Sequence, residues 1–92
     1  MKYRDRMEIF AMILQIAAQG VTKTKIMYAA YLSFQQVSEY LEFLQENDLL
    51  QYEKETEHYR VTEKGFRFLK VSNEMNALFS FKNSKFDDSF GL

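Results

Sequence analysis

The chain contains no cysteine, no proline and no tryptophan, only three glycines and a single histidine. Without cysteine there is no disulfide framework and no thiolate metal site. His58 has no second histidine or cysteine to complete a ligand set, so it reads as a surface histidine and no metal is expected. No glycine-rich phosphate loop is present, and no nucleophile stands beside a base at a recognised spacing. An enzyme and a bound cofactor are therefore not expected. Long apolar runs are missing too. The longest, Ile9 to Ala18 with Gln15 inside it, is about half of what a bilayer span needs. The first ten residues also lack the apolar stretch of a signal peptide. The expected setting is the cytoplasm, with no membrane partner.

What is present bounds the answer from the other side. A chain of 92 residues allows one domain and a modest core, and leaves a large share of its apolar surface exposed in a monomer. Hydrophobic residues make up 47% of the chain and aromatics 16%, far from a disordered composition. The net charge of −1 hides a partition: residues 1–25 carry five Lys/Arg against two acids, residues 26–57 one against seven, and residues 58–92 six against four. Two basic segments thus flank an acidic one.

A first helix is expected from about Arg4 to Ala18, ending at Gly20, a residue suited to the left-handed conformation that closes many helices. Its apolar residues Ile9, Phe10, Met12, Ile13, Leu14, Ile16 and Ala17 spread over about 200°, roughly twice what one core face needs. The helix is either central to its own core or also meets a second subunit. Thr22 is the expected N-cap of a second helix that buries Ile26, Ala29 and Ala30. Lys23 and Lys25 in its first turn oppose the helix dipole, a cost that an anion held by them and by Thr24 would relieve. Tyr31, Leu32 and Ser33 make a turn, and Ser33-Phe34-Gln35-Gln36 is a capping-box pattern opening a third helix. There Val37, Tyr40, Leu41 and Leu44 point inward, and Gln35, Ser38, Glu39, Glu42 and Glu46 outward. Glutamine, serine and glutamate near the start of that face are residue types that read base edges. Glu42 and Glu46 would meet phosphate unfavourably, so the helix is expected to enter a groove N-terminus first.

Two short strands, Leu49 to Lys54 and His58 to Thr62, flank a turn and place Tyr52 and Tyr59 for cross-strand packing. Arg60 is the best phosphate ligand of this hairpin and Lys54 the second, while Glu53, Glu55 and Glu57 argue against deep insertion. Thr62 can cap a last helix with two apolar stripes, Phe66 with Leu69, and Phe68, Val71, Met75 and Leu78 at the spacing of a heptad seam. Helix, turn, helix, hairpin, helix is the order of a winged helix-turn-helix, an α+β fold that is mostly helical. Residues 1–81 are expected to form this domain, with the helix-turn-helix at 22–47, the wing at 49–62 and the last helix at 63–80 used for dimerisation. The dimer seam is expected to combine Phe10 and Leu14 with Phe68, Val71, Met75, Leu78 and Phe79. Residues 82–92 read as a tail, frayed or pinned through Phe86 and Phe90.

Several segments carry a resemblance to a known group: Arg6-Met-Glu-Ile-Phe-Ala-Met-Ile-Leu, Thr22-Lys-Thr-Lys-Ile-Met-Tyr, Leu32-Ser-Phe, Tyr40-Leu-Glu-Phe-Leu with Leu49-Leu, and Tyr59-Arg-Val-Thr-Glu-Lys-Gly with Phe68-Leu69. The chain resembles the small archaeal winged-helix DNA-binding proteins described as transcriptional regulators, among them chromatin-associated ones that dimerise through a C-terminal coiled-coil helix. The resemblance implies a regulator that binds double-stranded DNA as a homodimer, with helix 3 in the groove and the Thr22 to Lys25 turn and the wing on the backbone. Asp48 departs from the glycine usual after helix 3 and would have to adopt the left-handed conformation. The last helix is also shorter than in the chromatin proteins, which favours a compact dimer through helices 1 and 4. The expected DNA contacts are Thr22, Lys23, Thr24, Lys25, Ser33, Gln35, Gln36, Ser38, Glu39, Lys54, Arg60 and Lys64. The alternative is a winged helix used for protein interaction, which the acidic middle segment and the near-neutral total favour.

Overall fold

The computed structural model describes the backbone of residues 5–90 and the side chains of residues 5–78. Its first helix, α1 (Arg6–Ile16), starts at Asp5, whose carboxylate accepts the Glu8 N–H at 2.8 Å while the Glu8 carboxylate accepts the Asp5 N–H at 3.3 Å. This reciprocal cap starts the helix two residues later than expected. Its last turn tightens into a 3-10 turn, Ala17–Gln19, closed by Gly20 at φ 89. Then follow α2 (Lys23–Ala29), α3 (Phe34–Glu46), the antiparallel strands β1 (Leu50–Glu53) and β2 (His58–Val61), and α4 (Glu63–Phe90). Four helices and a two-stranded wing thus appear in the order read from the sequence. α4 runs past residue 80 because no glycine or proline follows Gly65 until Gly91, so residues 82–90 continue the helix instead of forming a tail. The expected roles of Phe79, Phe86 and Phe90 fall on side chains outside those described.

α2 and α3 end in the same way. After α2, Tyr31 takes φ 57, its N–H bonds the Tyr28 carbonyl at 3.3 Å, and the Leu32 N–H reaches back to Met27 at 3.0 Å. After α3, Asp48 takes φ 62, its N–H bonds Gln45 at 3.0 Å, and the Leu49 N–H reaches back to Leu44 at 2.9 Å. Both are left-handed stops followed by a buried leucine, Leu32 or Leu49. Asp48 therefore adopts the conformation expected of it.

The core is wholly apolar among the described residues: Ile9, Phe10, Ile13, Leu14 and Ala17 of the first helical segment meet Ile26, Ala30, Leu32, Val37, Leu41, Leu44, Leu49, Leu50 and Leu69. Ala29, expected inside, is exposed, because the buried side of a helix this short holds little beyond Ile26. Phe10 stacks on Phe43 with ring centroids 4.8 Å apart and meets Tyr40 edge-on at 5.7 Å. Leu14 is fully buried and Phe10 is 7% exposed, so the core of the protomer takes both side chains and corrects their assignment to a dimer seam.

The wing pairs Tyr52 with Tyr59, rings 4.8 Å apart, as their positions in the strands suggested. Val21 adds a bridge that the sequence reading lacked. Its N–H bonds the Tyr59 carbonyl at 3.1 Å and its carbonyl accepts the Tyr59 N–H at 2.7 Å, tying the outer edge of β2 to the segment before α2. Thr62 links wing to last helix: its hydroxyl donates to the Asp48 carbonyl at 2.6 Å and accepts the Gly65 N–H at 2.9 Å. Gly65 is where α4 crosses the strand. A Cβ there would overlap the Leu49 carbonyl oxygen and lie 2.6 Å from Val61 Cγ1.

Candidate nucleic-acid interface

Thr22 caps α2, its hydroxyl accepting the Lys25 N–H at 3.2 Å, and leaves Thr24 and Lys25 exposed in the first turn. Lys23 is half-buried and holds its ammonium 4.1 Å from the centre of the Phe34 ring, joining the start of α2 to the start of α3. Ser33 opens α3 through a complete capping box: its hydroxyl accepts the Gln36 N–H at 3.1 Å, and the Gln36 side-chain oxygen accepts the Ser33 N–H at 2.9 Å. Gln36 is thus held by the helix cap, which limits its use as a base reader. Gln35 and Glu39 are exposed and interact across one turn at 3.4 Å, while Ser38 is half-buried. Glu42 and Glu46 are exposed towards the other end of α3.

The basic residues of the wing are arranged differently from the expectation. Arg60 donates through Nε to the Glu53 carboxylate at 3.0 Å and lies over Gly20, where a Cβ would stand 2.9 Å from its guanidinium carbon. That bond, with a second from the Thr56 hydroxyl at 3.0 Å, holds the Glu53 carboxyl below its usual range. Arg60 is therefore first a partner of Glu53, with less charge to offer phosphate than its sequence position suggested. Lys54 is exposed beside the wing turn. His58 is fastened to that turn, Nδ1 2.6 Å from the Thr56 carbonyl. Burial, with Tyr52 adding to it, raises the Tyr59 phenol above its ordinary value.

Lys64 donates to the Asn47 carbonyl at 2.9 Å, at the negative C-terminal end of α3. Its place is about 20 Å from the start of that helix, at 1.5 Å of rise per residue. It stabilises the α3 terminus, at the far end of that helix from the Lys23–Phe34 contact. No group of three or more His, Cys, Asp or Glu able to hold a metal occurs among the described residues. No helix is long and apolar enough to cross a membrane there either.

Two features of this end of the molecule escaped the sequence reading. Tyr31 is 84% exposed and Phe34 66%, so the turn into α3 presents aromatic rings to solvent. Arg6 lines a shallow recess with Phe10, Gln36, Glu39, Tyr40 and Phe43, placing a cation beside the outward side of α3. The basic balance of residues 1–25 was the available signal for Arg6; for the rings there was none, since apolar residues in a turn read as core.

Comparison with known proteins agrees with this geometry. The model of the winged helix-turn-helix family matches residues 3–80. The uncharacterised protein MJ0287 of the archaeon Methanocaldococcus jannaschii is 36% identical over 83 residues, which cover 89% of this chain and 80% of that protein. The crystal structure of Sso10a-2, a DNA-binding protein from Sulfolobus solfataricus, superposes with a TM-score of 0.82 at 24% identity, over 97% of this chain and 96% of that one. The latter likeness is one of fold. With a family match running from before α1 into α4, and with helix-turn-helix and wing in place, this chain belongs to the winged helix-turn-helix family.

Proposed function

We propose that the chain is a transcriptional regulator that binds double-stranded DNA as a homodimer in the cytoplasm, with α3 entering the major groove N-terminus first. The observation that carries this reading is the exposed start of α3, where Gln35 and Glu39 face solvent and Lys23 at the start of α2 reaches the Phe34 ring, while the acidic Glu42 and Glu46 lie farther along the helix. Base-reading groups and phosphate-pairing cations are then within reach of one duplex. The fold likeness to a protein described as DNA-binding supports the same reading. Lys54 and the exposed part of Arg60 supply weaker backbone contacts from the wing.

The homodimer rests on α1 and α4. Val71, Met75 and Leu78 are more than half exposed, and a groove lined by Met7, Ala11 and Met12 of α1 and Phe68, Val71 and Met75 of α4 runs beside them. A second copy burying this surface would account for the apolar arc of α1 beyond what the core uses.

Replacing Lys23 and Lys25 together by alanine tests the DNA assignment. The variant should bind duplexes of every sequence more weakly, with the log–log salt slope reduced by about 1.8 if each lysine neutralises one phosphate. Fluorescence anisotropy at several salt concentrations measures both quantities. An unchanged affinity and slope would remove these lysines from the contact.

A further inference from the structure

We propose that Tyr31 and Phe34 form an apolar reading tip that recognises the C5-methyl groups of thymine in the major groove. The inference rests on the DNA-binding reading above and adds what the tip recognises.

Tyr31 occupies the left-handed position after α2 at φ 57, a place suited to glycine or asparagine and strained for a bulky residue. The backbone there is set by the Tyr31 and Leu32 amides, and Leu32, not Tyr31, fills the core. A ring that is 84% exposed on a strained residue contributes little to the fold, which directs attention to a use outside it. Phe34, the first residue of α3, is 66% exposed, with the Lys23 ammonium near its ring. The two residues are three apart in sequence, so their Cα atoms lie within about 11 Å.

Two of the polar side chains at this end are taken up by the helix start. Gln36 and Ser33 satisfy each other in the capping box, and Gln35 leans on Glu39. Beside the exposed Gln35 and Glu39, the leading end of α3 thus also presents an apolar surface, Tyr31 and Phe34. The thymine methyl is the apolar feature of the base-pair edges in the major groove, and phenylalanine is among the side chains that contact it. The acidic far half of α3 strengthens the case, because an N-terminus-first approach brings Tyr31 and Phe34 to the base edges first.

The test compares two duplexes of equal length, alternating deoxyadenosine–thymidine and the same duplex with deoxyuridine for thymidine, which differ only by the methyl groups. The full chain should bind the thymidine duplex about four-fold more tightly for each methyl contacted, since burying one carbon is worth about that factor. Tyr31→Gly should move the ratio towards one without lowering the urea midpoint, because glycine relieves the left-handed strain. Phe34→Ala should also reduce the ratio. Equal, salt-sensitive affinity of the unmodified protein for both duplexes would overturn methyl reading and leave DNA binding intact. A ratio preserved in both variants would overturn the assignment to these rings. Binding to neither duplex at low salt would overturn the DNA-binding reading and this inference with it.

Discussion

Gly65→Ala is expected to destabilise the protein by about 2 kcal/mol, within the range found for overpacked sites. Helix propensity alone argues the opposite, because alanine in a helix is worth up to about 1 kcal/mol over glycine. The difference lies in the crossing of α4 over the strand. An added Cβ would run into the Leu49 carbonyl oxygen and approach Val61 Cγ1 to 2.6 Å. Neither neighbour is free to withdraw. The Leu49 carbonyl accepts the Thr62 N–H at 3.2 Å, and Val61 is paired with Leu50 in the wing. Urea denaturation reads the effect as a lower midpoint with an unchanged slope. A raised midpoint would mean that helix propensity dominates and that α4 can move off the strand at little cost.

The second large effect concerns assembly. Val71→Glu combined with Met75→Glu is expected to convert the proposed homodimer into monomers of 11.0 kDa, read by light scattering. Val71 and Met75 are 55% and 51% exposed in the protomer, so two carboxylates there leave the fold largely undisturbed. Across a two-fold seam, the same carboxylates would face apolar surface or one another without partners, which is strongly unfavourable once buried. A dimer mass retained by the variant would move the interface away from this seam. A monomeric unmodified protein would contradict the dimer reading itself.

The parts of the fold legible in the sequence are those written in local patterns. Thr22, Ser33 with Gln36, and Thr62 were recognisable as caps, and each makes the bond that its position implied. The Asp5/Glu8 box had the same kind of pattern, an acidic residue three positions before Glu, and could have been read equally well. Asp48 was identifiable as left-handed through the resemblance, because it stands where similar proteins have a glycine after helix 3. The contacts that were not legible join distant parts of the chain. Lys64 to the Asn47 carbonyl, Val21 to Tyr59 and the close approach at Gly65 depend on how the wing and α4 pack against earlier segments, and Arg60 to Glu53 depends on the register of the hairpin. Arg60 and Lys64 looked like free cations for phosphate because a charge list does not reveal an intramolecular partner. Phe10 and Leu14 were assigned to a seam because an arc of about 200° does not say which side is core.

Anisotropy with a labelled random-sequence duplex between about 50 and 200 mM salt decides whether this winged helix binds DNA through phosphate and groove contacts. Binding should weaken linearly in log–log form, with a slope corresponding to about four or more phosphates per dimer. No binding at low salt would contradict it, and would turn attention to a protein partner for the acidic outward side of α3.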